Sequence, residues 1–211
     1  MEIYKLRPLS VCDTNSYIAA SASGNAVLID APDDAEYILG VIKEKGLTLR
    51  KILLTHGHFD HIGAVADLYE KTGCEVYIHK FDLPKLTDDR GMLSVYFRVR
   101  DMKKFDKAIP VSDGDIITQD ELSFRVLHTP GHTSGSVCYL TDGVMFSGDT
   151  LFARSIGRTD MPDGDIDAMM KSLKVIDSIE GDMRVLTGHM DETALEDERR
   201  YNYYMKEARN G

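Results

Sequence analysis

The residues best suited to chemistry form the segment His56-Gly57-His58-Phe59-Asp60-His61, in which three imidazoles and one carboxylate fall within six positions. Side chains two positions apart in an extended chain point the same way, so His56 and His58 can face one cation. Asp60 and His61 stand at the expected turn into the next helix and can face a second cation. Neutral imidazole binds zinc, iron, nickel or copper, and carboxylate oxygen joins it at zinc, manganese or iron. The segment therefore predicts a metal site.

Three further segments share a pattern in which an apolar strand is followed by a small residue and then by a histidine or an aspartate. They end at His132, Asp149 and His189, and residues 51–56 fit the same pattern. One such segment alone is explained as a strand-end turn whose polar side chain bonds to local backbone groups. Four of them together favour convergence at one edge of the sheets, where sites lie in layered folds.

The elements that must position these residues follow from the apolar pattern, which runs through a similar order twice. In the first half we predict strands at 3–6, 16–20, 26–30, 51–55 and 75–79, a helix opening at 32–34 and another at 62–69. In the second half we predict strands at 116–117, 122–127, 136–140, 144–146 and 183–186, with helices at 165–179 and 192–208. Residues 81–108 are too irregular to assign. Two sheets covered by helices would bury these apolar faces, which predicts an α/β fold (α+β by some schemes).

Composition excludes several classes of protein. The 211 residues include 25 basic and 35 acidic side chains, and the net charge of -10 argues against nucleic acid as a partner. No apolar run is long enough to span a membrane, and residues 1–11 lack the apolar stretch of a signal peptide. Three scattered cysteines, Cys12, Cys74 and Cys138, are too few for a disulfide framework, so we expect a reducing cytoplasm. The sequence does not indicate an oligomeric state.

The pattern His56-x-His58-x-Asp60-His61, with the histidines and aspartate downstream, resembles the metallo-β-lactamase superfamily. Residues 129–136 (TPGHTSGS), 147–152 (SGDTLF) and 156–160 (IGRTD) resemble its glyoxalase II, or hydroxyacylglutathione hydrolase, branch more closely. The resemblance covers nearly the whole chain in order. It implies a four-layer αββα sandwich in a single domain, residues 1–211, with a binuclear metal centre in the cleft between the sheets.

The same resemblance implies a role for each ligand-type residue. The first metal would be held by His56, His58 and His132, the second by Asp60, His61 and His189, and Asp149 would bridge the two. We expect two divalent ions, with zinc as the first choice and iron or manganese as alternatives. Asp60 is also the catalytic candidate, because its carboxylate can orient a hydroxide or take up its proton. Asp30, at the end of a predicted strand, either orients a ligand histidine or is an ordinary turn residue.

The implied activity is hydrolysis of a small thioester such as S-lactoylglutathione or a related acyl-thiol. Two cations that share a water lower its pKa to about 7 and so supply a bridging hydroxide. A thiolate leaves readily because the pKa of its thiol is about 8.5, so no general acid is needed. His61 argues against a β-lactamase, whose motif resembles this one but usually lacks that histidine. Two alternatives stay open: a lactonase, and an oxidoreductase resembling persulfide dioxygenase with one iron at His56, His132 and Asp149.

Two departures from glyoxalase II bear on the substrate. That enzyme continues into a helical domain that supplies much of its glutathione site, whereas this sequence ends at Gly211. The family also usually has a glycine after the last ligand histidine, whereas this chain has Met190, which would reshape the pocket. We name Arg154, Arg158 and Tyr96 as candidates for substrate binding.

Residues 90–107 carry six basic and two acidic side chains, a local excess of positive charge in an acidic chain. A solvated face with a few core aromatic residues explains this composition. The alternative is a lid over the metal cleft that steers an anionic substrate, with Arg98 and Arg100 among its cations.

Overall fold

Two six-stranded sheets form the centre of the molecule, which the computed structural model describes over residues 1–10, 12–99 and 102–211. The first sheet contains, in spatial order, β1 (Glu2–Lys5), β2 (Tyr17–Ala20), β3 (Asn25–Ile29), β4 (Thr48–Leu53), β5 (Glu75–His79) and β6 (Ile109–Val111). The later strands are β7 (Ile116–Gln119), β8 (Leu122–His128), β9 (Val137–Thr141), β10 (Val144–Gly148), β11 (Leu151–Phe152), β12 (Ser155–Ile156), β13 (Arg184–Thr187) and β14 (Thr193–Ala194). Six of these strands form the second sheet, in the order β14-β13-β10-β9-β8-β7. The other two, β11 and β12, pair separately as a short hairpin.

The helices of the described residues lie where the apolar spacing predicts them, with two differences. Their bounds are α1 (Ala35–Glu44), α2 (Phe59–Ile62), α3 (Val65–Thr72), α4 (Ile166–Asp177), α5 (Leu195–Tyr201) and α6 (Tyr203–Asn210), with a 3₁₀ turn at Leu83–Thr87. The helix predicted at 62–69 is observed as α3, which begins three residues later, and the short helix α2 before it is not among the predicted elements. The closing helix predicted at 192–208 is interrupted at Asn202, whose side chain accepts hydrogen bonds from the backbone N–H groups that begin α6.

Three layers of apolar contact hold four layers of structure together. Alternate residues of a strand face opposite sides of the sheet. In β3, Ala26 and Leu28 face the helices α1 to α3, while Val27 and Ile29 face the second sheet. The second sheet packs its other face, including Met145, against α4 and α6. This arrangement confirms the predicted single-domain αββα sandwich. Among the described residues, no helix is long and apolar enough to cross a membrane.

The ligand-type residues follow the carboxyl ends of β4, β8, β10 and β13, as the sequence pattern predicts. Close approach at this edge requires glycine at several positions, of which Gly148 and Gly157 are examples. Gly148 has a φ of 48°, and a Cβ there would lie 2.5 Å from Thr55. A Cβ on Gly157 would lie 1.8 Å from the backbone oxygen of Asp149. The two sheets therefore meet closely at the edge that carries the histidines.

Candidate metal centre

The seven ligand-type residues predicted from the sequence meet in one cluster between the sheets. Three sets of side-chain atoms lie within 4.8 Å of one another: His56 with His58 and His132, His56 with His61 and Asp149, and Asp60 with His61 and His189. The first and third sets match the two groups of ligands expected from the sequence. The second set places Asp149 between them, beside one histidine of each group.

Individual distances show how tightly the cluster is drawn together. His58 Nδ1 lies 2.9 Å from His132 Nε2, and the two carboxylate oxygens of Asp149 lie between 3.3 and 3.5 Å from imidazole nitrogens of both groups. His189 Nε2 lies 3.4 Å from Asp60 Oδ2. Nitrogen and oxygen atoms with free electron pairs therefore crowd around a common space.

Three buried atoms of this cluster make no hydrogen bond within the described part of the chain: His56 Nε2, His58 Nε2 and Asp149 Oδ1. Buried polar groups are nearly always satisfied, so these atoms call for a partner that accepts electron pairs. A divalent cation is such a partner for a mixed imidazole and carboxylate set. The residues present therefore fit the metal centre that the sequence predicts.

The remaining nitrogen of each of four histidines is held by a neighbouring oxygen, which aims the ring at the cluster. His61 Nδ1 lies 2.8 Å from Asp30 Oδ2, and His56 Nδ1 lies 3.1 Å from Thr55 Oγ1. The other two rings lie against backbone carbonyl oxygens, His132 Nδ1 at 2.8 Å from that of Arg158 and His189 Nδ1 at 3.1 Å from that of Cys12. Contacts of this kind fix ring orientation in metal sites. Asp30 therefore orients His61, as the first of its two sequence interpretations expects.

The electrostatics of the first group favour neutral imidazole, the form that binds metal. Burial, reinforced by the neighbouring imidazoles, lowers the pKa of His56 well below its usual value. The same causes lower the pKa of His58 to about 3. Both rings are therefore neutral at physiological pH and present lone pairs to the cluster.

The second group is dominated by its carboxylates. Burial opposes ionisation of Asp60, but the imidazoles of His61 and His189 outweigh it and lower the pKa of Asp60 to about 2. Burial likewise opposes protonation of His189, but Asp149 and Asp60 outweigh it and raise its pKa to about 9. Without a cation the two carboxylates hold a proton on His189, so metal binding at this group must release it.

Sequence reasoning missed Asp82, a fully buried carboxylate just before the 3₁₀ turn. Its Oδ2 accepts hydrogen bonds from Gly57 N and from Thr133 Oγ1, both at 2.8 Å. Its Oδ1 accepts one from Gly135 N at 2.9 Å and forms an ion pair with Lys85. One carboxylate thus ties together the two loops that carry His56 to His61 and His132. The irregular composition of residues 81–108 gave no signal for it.

A cavity of about 430 Å³ opens above the cluster and has His58, Asp60, His132, Asp149 and His189 at its base. Of the three substrate-binding candidates, the structure brings Arg158 to the cavity wall, where its guanidinium forms two hydrogen bonds to Asp160. Tyr96 and Arg154 are not among the described lining residues.

Both side chains have other surroundings. Tyr96 is 56% exposed in a turn, and the Arg154 guanidinium lies over the Tyr201 ring at 4.5 Å. From residues 90–107, Leu93 and Phe97 reach the cavity. Arg98 does not line it, and Arg100 lies outside the described residues.

Comparison with known proteins identifies the family. The Metallo-beta-lactamase superfamily matches residues 9–189, so the chain belongs to this superfamily. A curated relative, the hydroxyacylglutathione hydrolase GloC of Haemophilus influenzae, is 31% identical over 94% of this chain and 95% of its own length. The expected resemblance to the glyoxalase II branch is consistent with this relative.

Two solved structures are similar over nearly their whole length. The B3 metallo-β-lactamase BLEG-1 is 34% identical, with a TM-score of 0.89 over 97% of this chain and 99% of its own. The protein TTHA1623, solved in a di-iron-bound form, is 36% identical, with a TM-score of 0.85 over 95% of this chain and 99% of its own. The fold is therefore shared with both neighbours, one of which was solved in a di-iron-bound form.

Proposed function

We propose that this protein is a hydrolase with two divalent cations that cleaves a small thioester. The observation that carries the proposal is the set of unmatched buried atoms on His56, His58 and Asp149, together with a second group at Asp60, His61 and His189. Two separate groups support a binuclear centre, in which Asp149 would bridge. When bound, divalent cations supply Lewis acidity and lower the pKa of a bound water to about 7.

The residues of the chain then have distinct tasks. Asp60 lies at the base of the cavity and is ionised at neutral pH, and Thr14 Oγ1 donates a hydrogen bond to its Oδ2. Its carboxylate can hold a cation and accept a proton from water. The leaving thiolate needs no proton donor, since the pKa of a thiol is about 8.5. The histidines act as ligands only, with their rings aimed by the contacts described above.

The relative GloC supports S-lactoylglutathione as the first thioester to test. The similarity to BLEG-1 favours a β-lactam as a second candidate substrate, because that neighbour is a B3 metallo-β-lactamase. Zinc is the metal we propose, with iron or manganese as alternatives, and the di-iron form of TTHA1623 makes iron the first alternative to examine. The free thiols of Cys12, Cys74 and Cys138 support a reducing cytoplasm as the compartment.

The experiment combines elemental analysis of purified protein with hydrolysis of S-lactoylglutathione. We expect close to two metal ions per chain and turnover that His58→Ala abolishes. His128→Gln is the matched control, because His128 lies outside the ligand groups and its ring donates to the Ser134 carbonyl oxygen.

The outcomes separate the alternatives. One iron per chain, no thioester turnover and consumption of oxygen would overturn the proposal in favour of an oxidoreductase. Two metals without thioester turnover would overturn the choice of substrate, and β-lactams and acyl-homoserine lactones would then be assayed on the same protein.

A further inference from the structure

We propose that the cavity selects substrates whose groups next to the reacting carbonyl are apolar and uncharged, so that a neutral thioester is preferred to a glutathione thioester. This inference rests on the proposed function. The wall above the metal cluster is apolar and is built by segments far apart in the sequence: Leu93, Phe97, Phe152, Ile156, Met161 and Met190. At about 430 Å³ the cavity lies toward the small end of ligand pockets.

The backbone conformation of Met190 indicates that its side chain has a function in the cavity wall. Met190 has a φ of 66°, in the left-handed region that is unfavourable for an ordinary residue and that glycine adopts freely. Its side chain is 58% exposed, so burial in a core does not offset this cost. Strained residues of this kind cluster at functional sites when their surroundings hold them in place.

The surroundings of Met190 do hold it. The buried side-chain amide of Asn15 donates to the carbonyl oxygens of Thr187 and Met190, at 3.0 and 2.9 Å. Leu93, another lining residue, is also left-handed, with a φ of 67°, although it is buried at the edge of the core. Two apolar side chains are therefore presented to the cavity from backbone conformations that favour other residue types.

Charge on the wall leads to the same conclusion. Apart from the histidines of the metal cluster, Arg158 is the one basic side chain among the described lining residues, and Asp160 accepts two hydrogen bonds from it at 2.8 and 2.9 Å. These two bonds use Nε and Nη2 of the guanidinium, so a carboxylate of glutathione would meet only the remaining N–H groups of a cation whose charge Asp160 already offsets. The nearby cation Lys5 is directed at the Met190 carbonyl oxygen, 3.5 Å away, from outside the lining. The wall thus offers apolar contact, and the described lining residues include no lysine or arginine without a carboxylate partner.

The experiment uses two pairs of molecules that differ in the thiol part, which is small and uncharged in N-acetylcysteamine and is a tripeptide with two carboxylates and one ammonium group in glutathione; the charge-changing variant described below separates the effect of charge from that of size. Equilibrium binding to the metal-loaded protein compares S-hexyl-N-acetylcysteamine with S-hexylglutathione. Both compounds are thioethers that a thioesterase cannot hydrolyse, so the result does not depend on turnover. Hydrolysis compares S-hexanoyl-N-acetylcysteamine with S-hexanoylglutathione. We expect the neutral member to be favoured about tenfold in Kd and in kcat/KM. Along the acetyl, butanoyl and hexanoyl series, kcat/KM should rise about threefold per added methylene until the cavity is filled.

Variants test the wall itself. Phe97→Lys adds a cation at a position that is 45% exposed, and we expect it to shift the preference toward the glutathione compound at least fivefold. Met190→Asn keeps a residue that tolerates the left-handed conformation but removes the apolar group, and should lower kcat/KM for the hexanoyl substrate more than for the acetyl one. Arg98→Asn is the matched control, because Arg98 is also left-handed, at 57°, and does not line the cavity.

Tighter binding of S-hexylglutathione, equal binding of the two thioethers, or binding of neither would overturn the inference. Selective binding of the neutral thioether without hydrolysis of any thioester would uphold the apolar cavity and overturn the proposed function. The two failures are therefore distinguishable.

Discussion

Replacing Asp82 by asparagine should weaken both the fold and the metal centre. The carboxylate accepts hydrogen bonds from Gly57 N and Gly135 N with different oxygens, whereas an amide offers only one acceptor oxygen. One buried backbone N–H group is then left without an acceptor, at a cost of about 1–3 kcal/mol. Lys85 also loses one of its two carboxylate partners but keeps Asp163, 2.7 Å away. Together these losses lower the free energy of unfolding by about 3 kcal/mol. Since a domain typically has about 5–15 kcal/mol, we expect the variant to fold with reduced stability.

The effect on metal binding follows from which loops Asp82 holds. Gly57 lies between two predicted ligands, and Gly135 lies in the loop after a third, His132. Changes to groups that orient ligands typically lower metal affinity 10–100-fold. We expect Asp82→Asn to show a loss in this range, measured by competition with a chromophoric chelator, together with a lower urea midpoint. Asp67→Asn, which removes an exposed partner of Lys103, should change neither quantity.

The reasoning would be refuted if Asp82→Asn kept the wild-type urea midpoint and the wild-type metal affinity. A variant that is destabilised in both the metal-loaded and the chelator-treated protein, but binds metal as tightly as the wild type, would show that Asp82 supports the fold without aiming the ligands.

Three further predictions concern pH and packing. Burial, reinforced by His128, lowers the pKa of His79 to about 4, so the folded state keeps this imidazole neutral and loses stability as the pH falls from 6.5 through 4. His79→Gln should flatten the fall of the urea midpoint over this range, and unchanged pH profiles would contradict the assignment. Gly157→Ala places a Cβ 1.8 Å from the backbone oxygen of Asp149, so we expect a loss of about 3 kcal/mol and a reduced metal content by elemental analysis; normal metal content would count against it. Gly40→Ala, inside α1 with no atom within 4 Å of the new Cβ, should instead raise the free energy of unfolding by about 0.5–1 kcal/mol, and a lower urea midpoint would show that this space is not free.

The parts of the site that the sequence predicts are those encoded within a few consecutive residues. The segment from His56 to His61 has the ligand spacing within six residues, and each later ligand-type residue follows a short apolar run of strand length. The closing helix shows the limit of this reasoning. Buried positions continue at helical spacing from Leu195 through Met205 and Ala208, but Asn202 begins a second helix with its side chain. Spacing alone does not distinguish a capping asparagine from one on a polar face.

Asp82 and Met190 show why the rest of the site requires the fold. Two of the four donors to Asp82 are backbone N–H groups, which every residue except proline possesses, so nothing in the sequence marks Gly57 and Gly135 as partners. The sequence flags Met190 only as an unusual neighbour of a ligand histidine, whereas its left-handed backbone and its place in the cavity wall emerge from three-dimensional packing. Metal ligands are limited to a few side-chain types and are therefore visible in a sequence. The groups that orient those ligands and shape the cavity can be of many residue types, and their role depends on where the fold places them. A prediction of substrate from the motif alone therefore does not include them.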